Sequence, residues 1–130
     1  MASAISTKDA PAALGPYSQA TLLPLHPQKS LLYVSGQIPL LPTGELVSST
    51  ITEETSIALS NASAILKEAG ATLQNVIKAT VFLTDMKDFN ELNAEYLRWF
   101  TWDVKPARSC VEVRALPKGA RVEVEVVAFV

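Results

Sequence analysis

The end of the chain alternates. From Val122 onward, Val122, Val124, Val126, Ala128 and Val130 take every second position, with Glu123 and Glu125 between them. Successive side chains of a strand point to opposite faces, so this spacing predicts a β-strand with one apolar face. Just before it, "PARSCVEV" reads as another strand, and the intervening "LPKG" supplies a turn, so the two read as a hairpin. In that reading Arg108, Cys110, Glu112, Arg114, Arg121, Glu123 and Glu125 share the face opposite the valines, mixed with Val127 and Phe129.

The same kind of patterning assigns the rest. "GPYSQATLLPL" and "SLLYVSGQIPL" read as two strands, and "PLHPQK" between them carries two prolines and reads as a loop. "STITEETSIALSNASAILKEAG" reads as a helix. Thr50 and Glu53 have capping-box spacing, Ala58, Leu59, Ala62, Ile65, Leu66 and Ala69 form an apolar stripe, and Gly70 stands where a helix stops. In "NVIKATVFLTD", Ile77, Ala79, Val81 and Leu83 make an apolar strand face opposite Lys78, Thr80 and Thr84. "MKDFNELNAEYLRWF" returns to a helical period, with Phe89, Leu92, Tyr96 and Phe100 on one side and Asp85 or Asp88 as its cap. Asn93 falls on that apolar side and needs a specific hydrogen-bond partner, nearby backbone being one candidate. The order is ββαβαββ, which predicts a two-layer α+β domain over residues 1–130, its mixed sheet covered on one face by two helices.

Composition narrows the function classes. At 130 residues the chain suits one domain, and 48% apolar with 18% charged residues excludes disorder and suggests apolar surface buried between subunits. The net charge of −2 comes without any run of like charge, so no electrostatic footprint for nucleic acid is present. Cys110 is the lone cysteine; it permits no internal disulfide and suits a reducing compartment. No apolar run is long enough to span a bilayer, and "MASAISTKDAPAALGPY", with no Arg and one Lys, only weakly fits a mitochondrial presequence.

Candidate chemistry is sparse. His26 is the one histidine, so no multi-histidine metal site can form and a Ser-His-Asp triad would rest on it alone. The five glycines form neither a dinucleotide fingerprint nor a phosphate loop. Cys110 can be a nucleophile activated by Arg108 or a small packing residue. An arginine and a glutamate on adjacent strands can hold a substrate carboxylate and move protons, or can simply pair across the ladder.

Five stretches carry a resemblance. "APAALGPYSQA", "YVSGQIP", "NVIKATVFLTDM", "FNELNAEY" and "PARSCVEVRALPKGARVEVEVVA" occur in the order and spacing of the RidA/YjgF family of reactive-intermediate deaminases. The match runs from about Ala4 to the C-terminus. It implies a chorismate-mutase-like fold and a homotrimer whose inter-subunit clefts are lined by the non-valine sheet face. The implied activity is hydrolysis of 2-imino acids and their enamines (2-aminoacrylate, 2-iminobutanoate, 2-iminopropanoate) to 2-keto acids and ammonia. That activity protects pyridoxal-phosphate enzymes and needs no cofactor and no metal.

Carried over by position, Arg108 matches the substrate-carboxylate ligand, Glu123 the acid that handles water, and Tyr17 the aromatic cleft residue. Ser35 and Gly36 match the cleft loop; Asn93 and Cys110 match the remaining polar positions, with Cys110 as a cleft wall. The departure from the shorter bacterial pattern is "LLPLHPQKSLLY", where the His26 segment lengthens the first connection. Ribonuclease or translation-inhibitor activity and a chaperone-like interaction role are the alternatives attached to the same family. No nucleic-acid or membrane partner is expected. The resemblance begins close to Met1, so the cytosol is expected, with the mitochondrial matrix as the alternative.

Overall fold

In a computed structural model describing residues 1–130, six strands form one sheet: β1 (Ser3–Ile5), β2 (Ala20–His26), β3 (Lys29–Gln37), β4 (Val76–Leu83), β5 (Ala107–Glu112) and β6 (Val122–Phe129). Two helices, α1 (Ile51–Glu68) and α2 (Phe89–Trp99), complete the layers. The strand order is β1-β2-β3-β6-β4-β5, with only β4 and β5 parallel among neighbours. Val122, Val124, Val126 and Ala128 turn to the helices and are buried, together with Ala79, Val81 and Leu83 of β4 and Leu32 and Val34 of β3. Leu59, Ile65 and Leu66 of α1 and Leu92 and Tyr96 of α2 cover them. Each fully buried Val or Leu here contributes about 2 kcal/mol, which is why the clean period of β6 selects the middle of the sheet.

The helix ends follow their chemistry. Thr50 caps α1 by accepting from the Glu53 N–H, whereas the Glu53 carboxylate accepts from the Ser49 hydroxyl instead of closing the box. At the other end Gly70, at φ +81°, lets its own N–H reach the Lys67 carbonyl and the Ala71 N–H reach Leu66, a Schellman stop. Asp85 caps the short 3₁₀ turn before α2, and Asp88 makes no side-chain cap. No helix is long and apolar enough to cross a membrane.

Four expectations are overturned. β5 and β6 are not a hairpin: β5 pairs in parallel with β4, and β6 inserts between β3 and β4. The reason is the helix between β4 and β5, since a strand-helix-strand crossover returns its second strand parallel to the first. The supposed common charged face is therefore false. Arg108 aligns with buried Ala79 and Cys110 with buried Val81, so both face the helices, while Glu123 aligns with Phe82 and Glu125 with Thr80 on the outer face. Arg121 leaves the outer face as well, donating to the carboxylate of Glu54 and to the Ser49 carbonyl.

In β4 a register shift between Val76 and Lys78 buries Val76 and exposes Ile77. Finally, "PLHPQK" is no extended loop. β2 runs to His26 and β3 starts at Lys29, so the hairpin lengthens through its strands; Pro24 is tolerated because β1 pairs with β2 only as far as Leu22. β1 itself carried no recognisable pattern at three residues.

Glu54 is 2% exposed, and Arg121 is its ion-pair partner. Arg121→Met leaves that carboxylate buried without a counter-charge and is expected to cost about 3 kcal/mol, read as a lowered denaturant midpoint.

Candidate functional site

The outer face around Glu123 is built by a bulge. The pairing of β3 with β6 shifts between Val34 and Gln37, which frees Ser35 and Gly36 from the regular ladder. Glu123 lays its carboxyl over Gly36, in the space a side chain there would take: a Cβ would stand 2.6 Å from Glu123 Cδ. The Ser35 hydroxyl donates to the Ser18 carbonyl at 2.6 Å and its N–H to Gln19, which fixes the segment carrying Tyr17 beside the bulge. Tyr17 stands over a shallow cavity of about 290 Å³ with Ser35, Gly36, Pro117, Glu123 and Glu125, its hydroxyl accepting from the Leu14 N–H at 2.8 Å.

Glu123 titrates high. Burial is the larger cause, and the neighbouring Glu125 carboxylate adds to it. The group therefore holds its proton at a pH where an ordinary glutamate has lost it, which suits it to exchange protons with water.

Arg108 stands elsewhere. It lines a second cavity of about 310 Å³ on the helix side with Asn93, Tyr96, Leu97, Lys105 and Pro106. Its guanidinium lies 4.7 Å from the Tyr96 ring centroid and 5.7 Å from that of Phe89. The two ion pairs of the chain are Arg98 with Glu95 and Arg121 with Glu54, so Arg108 has no acid partner and its donors are unspent. The cross-strand pair that the sequence left open is not formed. Asn93 is half-buried on the same cavity and has no side-chain partner within the chain. Cys110, two residues on, packs against the core instead of lining the cavity; burial raises its thiol pKa, and Arg108 offsets this only partly. A thiol so held is a poor nucleophile.

The sequence-derived residues thus divide into two groups on opposite faces of one sheet. Tyr17, Ser35, Gly36 and Glu123 share one; Arg108 and Asn93 share the other, with Cys110 behind them. His26 is in neither, exposed in β2.

Sequence reasoning missed Gln19, whose buried amide donates to the Thr7 and Pro11 carbonyls and accepts from the Thr7 N–H, pinning the N-terminal segment under Tyr17. It also missed Asn61, which ties the chain after β3 to α1 through the Ile38 and Leu40 carbonyls. Polar residues in an apolar helix stripe were the available signal for Asn61. No cluster of three His, Cys, Asp or Glu side chains is placed to hold a metal ion.

Known proteins resemble this chain in sequence and fold. Residues 7–130 match the family model described as Endoribonuclease L-PSP. The human protein named 2-iminobutanoate/2-iminopropanoate deaminase is 48% identical over 126 residues, covering 96% of this chain and 88% of its own. The crystal structure of YyfA from Yersinia pestis, described as a protein of unknown function of the conserved Rid family, superposes with a TM-score of 0.91 at 46% identity, covering 100% of both chains. That of E. coli TdcF with bound serine superposes at 0.86 and 37% identity, covering 97% of both.

Two outcomes follow from Glu123. Its midpoint rises on folding, so the folded chain keeps a proton that the unfolded chain releases, and stability falls as pH climbs from the ordinary glutamate value through the raised one. Glu123→Gln removes that loss and is expected to melt higher than wild type at neutral pH, with the gain vanishing below the ordinary glutamate midpoint. Gly36→Ala pushes the carboxyl out of its slot, and a ¹³C NMR titration is expected to show the Glu123 midpoint moving down toward the ordinary value.

Proposed function

Because the chain belongs to the RidA/YjgF family, we propose that it hydrolyses small 2-imino acids and their enamine tautomers to 2-keto acids and ammonia, in clefts shared between copies of a homotrimer. The observation that carries this reading is the separation of Arg108, with unspent donors, from Glu123, with its raised midpoint, on opposite faces of one sheet. One chain cannot bring them to one substrate; the two half-sites complement each other if neighbouring copies supply one each. Leu23, Tyr33 and Phe129 leave the outer face with apolar side chains 38%, 49% and 50% exposed, a surface that association would cover.

The chemistry needs little else. Arg108 takes the substrate carboxylate through its fork of N–H donors, with the Asn93 amide beside it. That places the imine carbon against Glu123 of the neighbouring copy. Ionised Glu123 accepts a proton as water adds to the protonated imine, forming the C–O bond of a carbinolamine. It then returns the proton to nitrogen and, ionised again, takes the hydroxyl proton as the C–N bond breaks, so that the C=O bond forms, ammonia leaves and the proton passes to it as ammonium. A protonated imine is already a strong electrophile, so positioning and one proton shuttle suffice. Tyr17 walls the water side. The serine bound to the TdcF relative has the size and carboxylate that such a cleft would take. Removing these electrophiles would spare pyridoxal-phosphate enzymes from attack.

The test generates the imine in situ with a threonine or serine dehydratase and follows keto-acid release. Wild type is expected to accelerate release, and Arg108→Ala and Glu123→Gln are each expected to lose about a hundredfold or more without unfolding. Reassembling the two variants in equal amounts should restore about one quarter of wild-type activity, because a site drawing Arg108 from one copy and Glu123 from another is intact that often by chance. An inactive mixture places both residues in one chain's site, and an inactive wild type sinks the deaminase reading.

A further inference from the structure

An arginine without an acid partner on an edge strand has every reason to swing into water, yet a carboxylate ligand works only if it is aimed before the substrate arrives. The guanidinium of Arg108 instead lies over two rings of α2, 4.7 Å from the centroid of Tyr96 and 5.7 Å from that of Phe89. Phe89 and Tyr96 are two helical turns apart, and Asn93 stands between them, so the three make one stripe facing β5. Tyr96 is itself immobilised. It is 6% exposed and stacks on fully buried Phe100 with ring centroids 4.4 Å apart and planes 24° from parallel. The ring that carries the cation is therefore part of the core.

We propose that Tyr96, supported by Phe89, is a positioning residue for the carboxylate ligand: its ring face, and not its hydroxyl, seats the Arg108 guanidinium and leaves the N–H edges free for substrate. The hydroxyl is excluded by its surroundings, since Tyr96 Oη is buried and has no hydrogen-bond partner. A ring face satisfies the cation without consuming a donor, which an acidic partner would do. A carboxylate at this position would hold the arginine equally well and block the substrate. The seat rests on the proposed role of Arg108 as carboxylate ligand, and its geometry can be read separately from that role.

The experiment uses the intact protein with four variants: Tyr96→Phe, Tyr96→Leu, Phe89→Leu and Arg108→Ala. The seat is read directly from the ring-current shift of the Arg108 Nε–H proton, expected in wild type and Tyr96→Phe and lost in Tyr96→Leu. Ligand binding is read with 2-oxobutanoate, a 2-keto acid product, by calorimetry. Tyr96→Phe is expected to bind within about threefold of wild type and to melt no lower, having shed an unbonded buried hydroxyl. Tyr96→Leu is expected to bind about tenfold more weakly and to raise KM by a similar factor with kcat changed less than about threefold, since Arg108 holds the carboxylate before and during reaction. Its pH–rate profile should not move, because Glu123 is untouched.

If Tyr96→Leu fails to fold, Phe89→Leu carries the test with an expected loss of about threefold. Tight binding retained in the leucine variants, or lost in Tyr96→Phe, overturns the seat. Wild-type protein that shows the ring-current shift but binds 2-oxobutanoate no better than Arg108→Ala overturns the carboxylate role instead, and leaves an arginine seated with nothing to receive.

Discussion

The structure depends on the insertion of β6 between β3 and β4. Those outer two run in the same direction, each tied to β6 by an antiparallel ladder, and α1 crosses from one to the other over the face that β6 fills with valines. Once Val122, Val124 and Val126 are committed to the helices, the residues between them have no choice of side. Glu123 is forced onto the outer face at the one place where β3 bulges, and the half-burial that raises its proton affinity follows from that position.

The edge strand obeys a different constraint. β5 has a ladder on one side only, so it forms the margin of the sheet. Cys110 is close enough to the core to pack, while Arg108 reaches past it to the rings of Phe89 and Tyr96. The alternation that buries β6 thus opens into a groove at β5. A charge that would be intolerable under α1 is held there by aromatic faces at the border of solvent.

These two placements give the molecule a divided character. Charge satisfied inside the chain is structural: Arg121 is spent on Glu54, and Arg98 on Glu95. Polar groups left unspent, the Arg108 fork and the Asn93 amide, gather on one cavity, and the carboxyl with displaced proton affinity gathers on another. An exposed apolar sheet face lies beside the second. Interactions that hold the fold together and polar groups left available to a ligand are carried by different residues.

Local periodicity was enough for most elements. The caps of α1, the α2 stripe and the buried face of β6 were legible because each depends on neighbours within a few residues, and the five family stretches pointed to the candidate site residues one by one. Partnership was not legible. A strand's period states which residues share its face but not which strand lies beside it, so "LPKG" suggested a hairpin where the α2 crossover had already paired β5 with β4. The bulge at Ser35–Gly36, the one-residue shift that exposes Ile77 and the pairing of β1 have no local signature, since each is settled by a ladder formed with a distant segment. Local sequence was sufficient to give the apolar faces, the helices and the candidate site residues. That Arg108 and Glu123 lie on opposite faces came from the ladders, because facing is inherited from the neighbouring strand and neighbours are chosen by long-range packing.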